Sequence, residues 1–363
     1  MFKDSSVTYD IKLLILGNGF DLHLGLKTAF SDFLKEEILD EKGGFNESET
    51  NLLLYLLYLR FYYPSNYTKT FFRTVYIGDP NWMDVEGFIK IIATDDAIID
   101  GVLKAMSYRS ENIGFMGNMD LFVFLIGKFL SKIQLPEKKY DRTTIVNLLG
   151  DNLTDFENRF KQFVSKSITN REEYSKKQED FIRHILDSVP GVSKFPNLRV
   201  FSFNYTKNVL NLYKELNLHG SIDDKVVIGY DSTQASVSPN DAFVLSKEWR
   251  KNDIEFEYDI NENYINSIIV YGHSLGEQDY PYFFDILDRS HILDGGTPIR
   301  ICFCYSLWED SEECRKSIEQ YRMNATKMLN AYERYKKPNI SRNMIITELK
   351  ARKSLSFVEI KYS

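Results

Sequence analysis

"IKLLILGNGFDL", residues 11–22, decides how the rest of the chain is read. Between Ile11 and Leu16 only Lys12 is polar, and so short an apolar run suits a strand covered on both faces. Gly17 and Gly19 then punctuate the chain, and "TAFSDFLKEEILDEK" follows as a helix with Thr28 as its expected N-cap. Strand, glycine loop and helix in that order open a parallel α/β sheet. Working outward, "NLRVFSFNYT", "INSIIVYGHSLG", "PIRICFCYS" and "LSFVEIKY" are further short buried strands, and Cys314, Ile318, Tyr321, Ala325, Met328 and Tyr332 keep helical spacing after the third. From about residue 48 to 190 the periodicity is helical almost throughout, with Val85, Phe88 and Ile92, then Leu153, Phe156, Phe160 and Phe163, at intervals of three and four. The expected fold is α/β: one domain with a Rossmann-like parallel sheet, built from about 1–45 and 191–363, with 46–190 as a large helical insertion.

Composition narrows the function classes. The 363 residues are 43% hydrophobic with a formal charge of -7, and Lys and Arg are scattered, so neither nucleic acid nor an anionic membrane is an expected partner. The apolar runs "NLLLYLLYLRFYY" and "LFVFLIGKFL" are shorter than a bilayer span and carry Arg60 and Lys128. Three cysteines, Cys302, Cys304 and Cys314, and an opening without a signal-peptide core set a reducing cytoplasm as the expected compartment. With no C-x-x-C pair among them, no metal site is expected. Alternation along the strand puts Cys302 and Cys304 on one face, as core packing.

Ligands of open parallel sheets sit at the carboxyl ends of the strands, which directs attention to the loops "GNGFD", "FNYT" and "GHSLGEQD", and a further polar cluster, "NLHGS", follows soon after "FNYT". Gly17-Asn18-Gly19-Phe20-Asp21 lets backbone approach a pyrophosphate, with the amides of the next helix facing the anion. The dehydrogenase fingerprint fails, because Leu22 occupies the sixth position of G-x-G-x-x-G. The plainer alternative is a tight turn in which Asp21 bonds local backbone. Asn204 could hold a ribose hydroxyl or a water, or could cap a helix beginning near Thr206. His219 is suited to accept a proton near neutrality, or is a turn histidine before Gly220. Asp21 and Asp279 are candidates for ribose hydrogen bonds or charge stabilisation, against turn and N-cap duty.

"LLILGNGFDLHLGLKTAFSDFL", "WMDVE" at 82–86, "FSFNYT", "NLHG" and "GHSLGEQDYPYF" together resemble the successive motifs of the AbiH family of bacterial abortive-infection proteins, which act against phage. More distantly the series resembles the NAD-binding core of sirtuin-like proteins. In that resemblance the Gly17–Asp21 loop corresponds to G-A-G, Asn204 to the asparagine of N-x-D, His219 to the catalytic histidine, and Gly272 and Ser274 to the loop that holds cofactor phosphate and ribose. Thr206 stands where N-x-D carries its aspartate. The sirtuin zinc ribbon needs four thiolates, which three cysteines cannot supply, so the resemblance points to NAD cleavage as in the sirtuin-like NAD hydrolases of phage defence. It implies NAD as substrate or ligand, with Asn204 orienting water and ribose, His219 as general base, and the Gly17 to Gly19 amides anchoring the pyrophosphate. A non-catalytic nucleotide-binding sensor is the alternative, and both leave room for a phage-derived trigger and a homo-oligomer.

Gly272-His273-Ser274-Leu275-Gly276 also matches G-x-S-x-G, the elbow of a serine hydrolase. His291 is the only histidine downstream of Ser274, and a helix between them would hold it roughly 20 to 25 Å away. A triad is not expected.

Overall fold

The computed structural model describes residues 11–63, 84–107, 121–133, 140–192, 197–207, 213–232, 240–251, 265–293, 299–307, 309–337 and 344–361. Trp82, in the "WMDVE" segment, lies outside them. The chain divides into two compact units, one of residues 1–27, 164–225 and 255–363 and the other of residues 28–163 and 226–254.

The first unit carries the sheet. Its six strands are β1 (Ile11–Leu16), β2 (Leu198–Ser202), β3 (Lys214–Asn217), β4 (Ile265–Tyr271), β5 (Arg300–Tyr305) and β6 (Leu355–Glu359), in the order β3-β2-β1-β4-β5-β6. Every neighbouring pair is parallel. This is the Rossmann-like α/β arrangement, in which strand order reverses between β1 and β4, the switch point at whose carboxyl ends such sheets in general seat ligands. The register brings Leu16 beside Ser202 on one side and Tyr271 on the other, so the loops after β1, β2 and β4 leave the sheet at one level.

Alternation along β1 feeds two cores. Leu13 and Ile15 join Phe201, Ile268 and Val270 under α10 (Tyr280–Arg289) and α11 (Glu312–Lys336), through Phe283, Ile286, Met328 and Leu329. Leu14 and Leu16 face the other way, with Val200, Ile269 and Tyr271, against Phe181, Ile182 and Ile185 of α8 (Arg171–Ser188). Cys302 and Cys304 both lie in this second core, and burial pushes both thiols up. A β1 flanked on both sides and covered on both faces is why its sequence is an apolar run rather than an alternating one.

The short helix α1 (Gly19–His23) follows β1 directly. The next helix, α2 (Phe30–Ile38), begins two residues after Thr28. Ala29 in extended conformation takes the cap position without a side-chain bond, and Thr28 is buried, so the expected threonine cap is replaced.

The second unit is helical, with α3 (Leu52–Phe61), α4 (Val85–Thr94), α5 (Asp96–Ser107), α6 (Leu121–Lys132) and α7 (Arg142–Ser167) up to Phe163. Phe33 meets the rings of Phe156, Phe160 and Phe163 at 5.1 to 5.5 Å, edge-on. The short α9 (Lys247–Arg250) is tied to α7 by a buried ion pair in which Arg250 Nε donates to Glu157 Oε1 at 2.7 Å. The same oxygen accepts the Ile228 amide at 2.8 Å, so the carboxylate is paired and hydrogen-bonded as a buried charge requires. Among the described residues no helix is long and apolar enough to cross a membrane.

Candidate functional site

The site is built where β1, β2, β3 and β4 end. Gly17 donates its amide to the Tyr271 carbonyl at 3.0 Å and Gly19 to the Gly272 carbonyl at 2.7 Å, so the loop after β1 is laced onto the loop after β4. The approach is too close for side chains. A Cβ at Gly17 would stand 2.4 Å from His273 Cα, one at Gly19 2.9 Å from Gly272 Cα, and one at Gly272, whose φ is +70°, 2.4 Å from the Phe20 nitrogen. The glycines are thus needed for backbone contact with backbone. The expected role of the Gly17 and Gly19 amides as a pyrophosphate anchor is corrected here, because both donors are spent on carbonyls. Phe20 is likewise a core residue, stacked on Phe181 at 5.6 Å and edge-on to Tyr271 at 6.3 Å. Asn18 is partly buried at the N-cap position of α1 and makes no side-chain cap bond.

Asp21 is 0% exposed and enclosed by donors rather than aimed at local backbone or an open crevice. Its Oδ1 accepts from the Tyr174 hydroxyl at 2.7 Å and from Asn204 Nδ2 at 3.2 Å, and its Oδ2 accepts from Thr206 Oγ1 at 2.8 Å. Three segments far apart in sequence meet on one carboxylate. Burial pushes its pKa from 3.8 to about 6, against the lowering effect of the three hydrogen bonds. A raised carboxylate pKa means that the folded state holds the proton more tightly than the unfolded chain. The contribution of Asp21 to stability is therefore complete below 3.8 and is lost as pH rises through about 6. That span, at about 1.4 kcal/mol per pH unit, is about 3 kcal/mol. Across pH 4 to 7, denaturant unfolding of Asp21→Ala is expected to lack the loss of about 3 kcal/mol that Asp21 contributes to wild type as pH rises; parallel profiles would contradict it.

Asn204 is 2% exposed, and no helix begins in residues 204–207, so it is not a cap. Its backbone amide donates to Ser202 Oγ at 3.2 Å, and its carbonyl and that of Thr206 accept from Asn217 Nδ2 at 2.9 and 2.8 Å. Its side-chain Oδ1 is buried without a hydrogen-bond partner among the described residues.

His219, directly after β3 and 5% exposed, places Nε2 3.3 Å from Asp279 Oδ1. The other oxygen, Oδ2, lies 3.4 Å from Nε2 of His273. Asp279 thus stands between two buried histidines; it occupies the N-cap position of α10 but makes no side-chain cap bond. His273 Nδ1 accepts the Leu275 amide at 2.8 Å, which assigns its proton to Nε2, facing Asp279. Leu275, at φ 58°, is the strained residue of this loop. The Phe203 ring sits edge-on to both imidazoles, at 4.3 Å from His273 and 5.2 Å from His219. Sequence reasoning missed His273, Tyr174 and the part played by Thr206.

Ser274 lies in the same loop. Both nitrogens of the adjacent His273 are committed, and no histidine hydrogen-bonds the Ser274 hydroxyl among the described residues. The Ser274 carbonyl accepts from Asn324 at 3.0 Å, which fixes the loop against α11. Nor does any group of three or more His, Cys, Asp or Glu side chains stand where it could hold a metal ion, among the described residues.

Comparison with known proteins gives one match. No curated protein and no solved structure matches the chain. The family model for bacteriophage abortive infection AbiH matches residues 13–294, a stretch that runs from within β1 through β4 and includes Asp21, Asn204, His219, His273 and Asp279. The chain belongs to the AbiH family of bacteriophage abortive-infection proteins.

Proposed function

We propose that the protein serves phage defence by binding NAD or a related dinucleotide at the carboxyl ends of β1 to β4 and cleaving the bond between nicotinamide and ribose. What supports this reading is a paired base after β3 and an unsatisfied acceptor after β2, the neighbouring strand. His219 is held by Asp279, and Asn204 on the neighbouring strand end keeps a buried carbonyl oxygen without a hydrogen-bond partner among the described residues. Ring contact between Phe203 and His219 joins the two loops.

The chemistry asks for little more. As the glycosidic bond breaks, its electron pair goes to the nicotinamide nitrogen, and positive charge develops on the ribose carbon. Asn204 Oδ1 holds a ribose hydroxyl or the attacking water. His219 takes the proton as the water oxygen bonds to the carbon, and the Asp279 carboxylate steadies the imidazolium that forms. Ser274, Gly272 and Asn18 lie on the loops around this site as further ligand contacts, while Gly17, Gly19, Phe20 and Asp21 act behind it.

A non-catalytic nucleotide sensor is the second reading, favoured by Thr206 standing where the sirtuin-like motif has an aspartate. The two part at one measurement, nicotinamide release by the purified protein alone and with phage lysate. Release supports cleavage. NAD binding by calorimetry without release supports the sensor, and neither binding nor release sinks both. No zinc is asked for in either reading.

A further inference from the structure

Asn204 poses a question of orientation. A side-chain amide has a donor end and an acceptor end of nearly equal size, and only its partners decide which end faces which way. Here the decision is made by Asp21. A carboxylate only accepts, so the end of Asn204 that lies 3.2 Å from Asp21 Oδ1 is Nδ2. The opposite end is then the carbonyl oxygen, buried and without a partner among the described residues. The carboxylate is itself fixed, by the Tyr174 and Thr206 hydroxyls at 2.7 and 2.8 Å. Neither hydroxyl leaves the Asp21 carboxylate free to rotate away from the amide.

We propose that Asp21 is the positioning residue for Asn204: by taking the amide N–H it turns the carbonyl oxygen toward the ligand, so the ligand group seated there is a hydrogen-bond donor. A sugar hydroxyl or a water fits; a phosphate oxygen or a carbonyl does not, since acceptor would face acceptor. This rests on the proposed function, of which it specifies the polarity. It also assigns a role to Asp21 that its enclosure excludes from direct ligand contact. The carboxylate that the sirtuin-like motif would place two residues after the asparagine is supplied here from the loop after β1, and Thr206 at that position serves as its donor.

The exchange of the two side chains tests the idea. In Asp21→Asn the carboxylate that orients Asn204 is gone, and in Asn204→Asp two carboxylates face each other. In the double variant Asp21→Asn with Asn204→Asp the amide donates from position 21, and position 204 again presents an oxygen to the ligand. Each single variant is expected to lower kcat for nicotinamide release about 100-fold, with KM for NAD changed less than about threefold, as for a misplaced group. The double variant is expected to recover at least about tenfold of that loss, and to recover most of the fall in unfolding midpoint seen in the singles. Additive losses in kcat and midpoint, with wild type active, would overturn the positioning role and leave the NAD reading standing. A wild type that neither binds NAD nor releases nicotinamide overturns that reading, and a coupling then confined to the unfolding midpoint reduces Asp21 to a structural residue, overturning the proposal too.

Discussion

Gly17→Val is expected to unfold the protein rather than to silence a binding loop. The added Cβ would meet His273 Cα at 2.4 Å and the Gly272 carbonyl oxygen at 2.7 Å, both of which belong to backbone that cannot swing aside. Relief requires the loop after β1 to part from the loop after β4, which breaks the Gly17 and Gly19 amide bonds to Tyr271 and Gly272. Losses of this kind lie at the severe end of single substitutions, above about 4 kcal/mol. Gly276→Ala is the control within the same pair of loops: its φ is -66°, and its nearest neighbour would be Ser274 Oγ at 3.7 Å, an ordinary contact. Denaturant unfolding should therefore separate the two glycines sharply, and a wild-type midpoint for Gly17→Val would refute the interlocked-loop account.

His219→Ala is expected to remove most activity while leaving the fold. Loss of a general base costs about 10²- to 10⁴-fold in rate, and this imidazole pairs with Asp279 and meets the rings of Phe203, Tyr205 and Tyr282. Single-turnover nicotinamide release reads the chemical step directly, and NAD content of infected cells reads its consequence. If cellular NAD stays level while the wild-type protein still protects against phage, cleavage is not the mechanism and the sensor reading takes its place.

Much of the fold is legible in the sequence because burial on both faces leaves a plain signature. β1, β2, β4 and β5 each stand out as apolar runs, and the rows of Phe156, Phe160 and Phe163 announce α7; β6, expected as a buried strand, is an edge strand and only partly buried. β3 does not stand out, since "KELN" is a four-residue edge strand with two charged side chains and no apolar pattern. Thr28 misleads for a different reason: capping propensity is a local preference, and burial of the side chain overrode it. At the site, Asn204 could be singled out because it closely follows a legible strand, and His219 because it stands before Gly220 in a polar cluster soon after it. The partnership of Asp21 with Tyr174, 153 residues away, could not, as no local pattern connects them. Nor does glycine spelling distinguish a loop that cradles phosphate from one that lies against another backbone; Gly17 and Gly19 are identical in sequence under both.

The central place of β1 in the sheet sets a timetable for synthesis. Leu16 emerges early, yet its neighbours in the ladder are Ser202 and Tyr271, and Asp279 comes later still. At about 5 to 20 residues per second, roughly 13 to 50 s of translation separate residue 16 from Tyr271. Until β2 is made the first strand has no sheet to join, and until Tyr271 and Gly272 are made the glycine loop has no carbonyls to receive its amides. The two imidazoles cannot share a carboxylate before α10 has begun. A nascent or truncated chain that stops before Asp279 is thereby without the carboxylate that links its two site histidines.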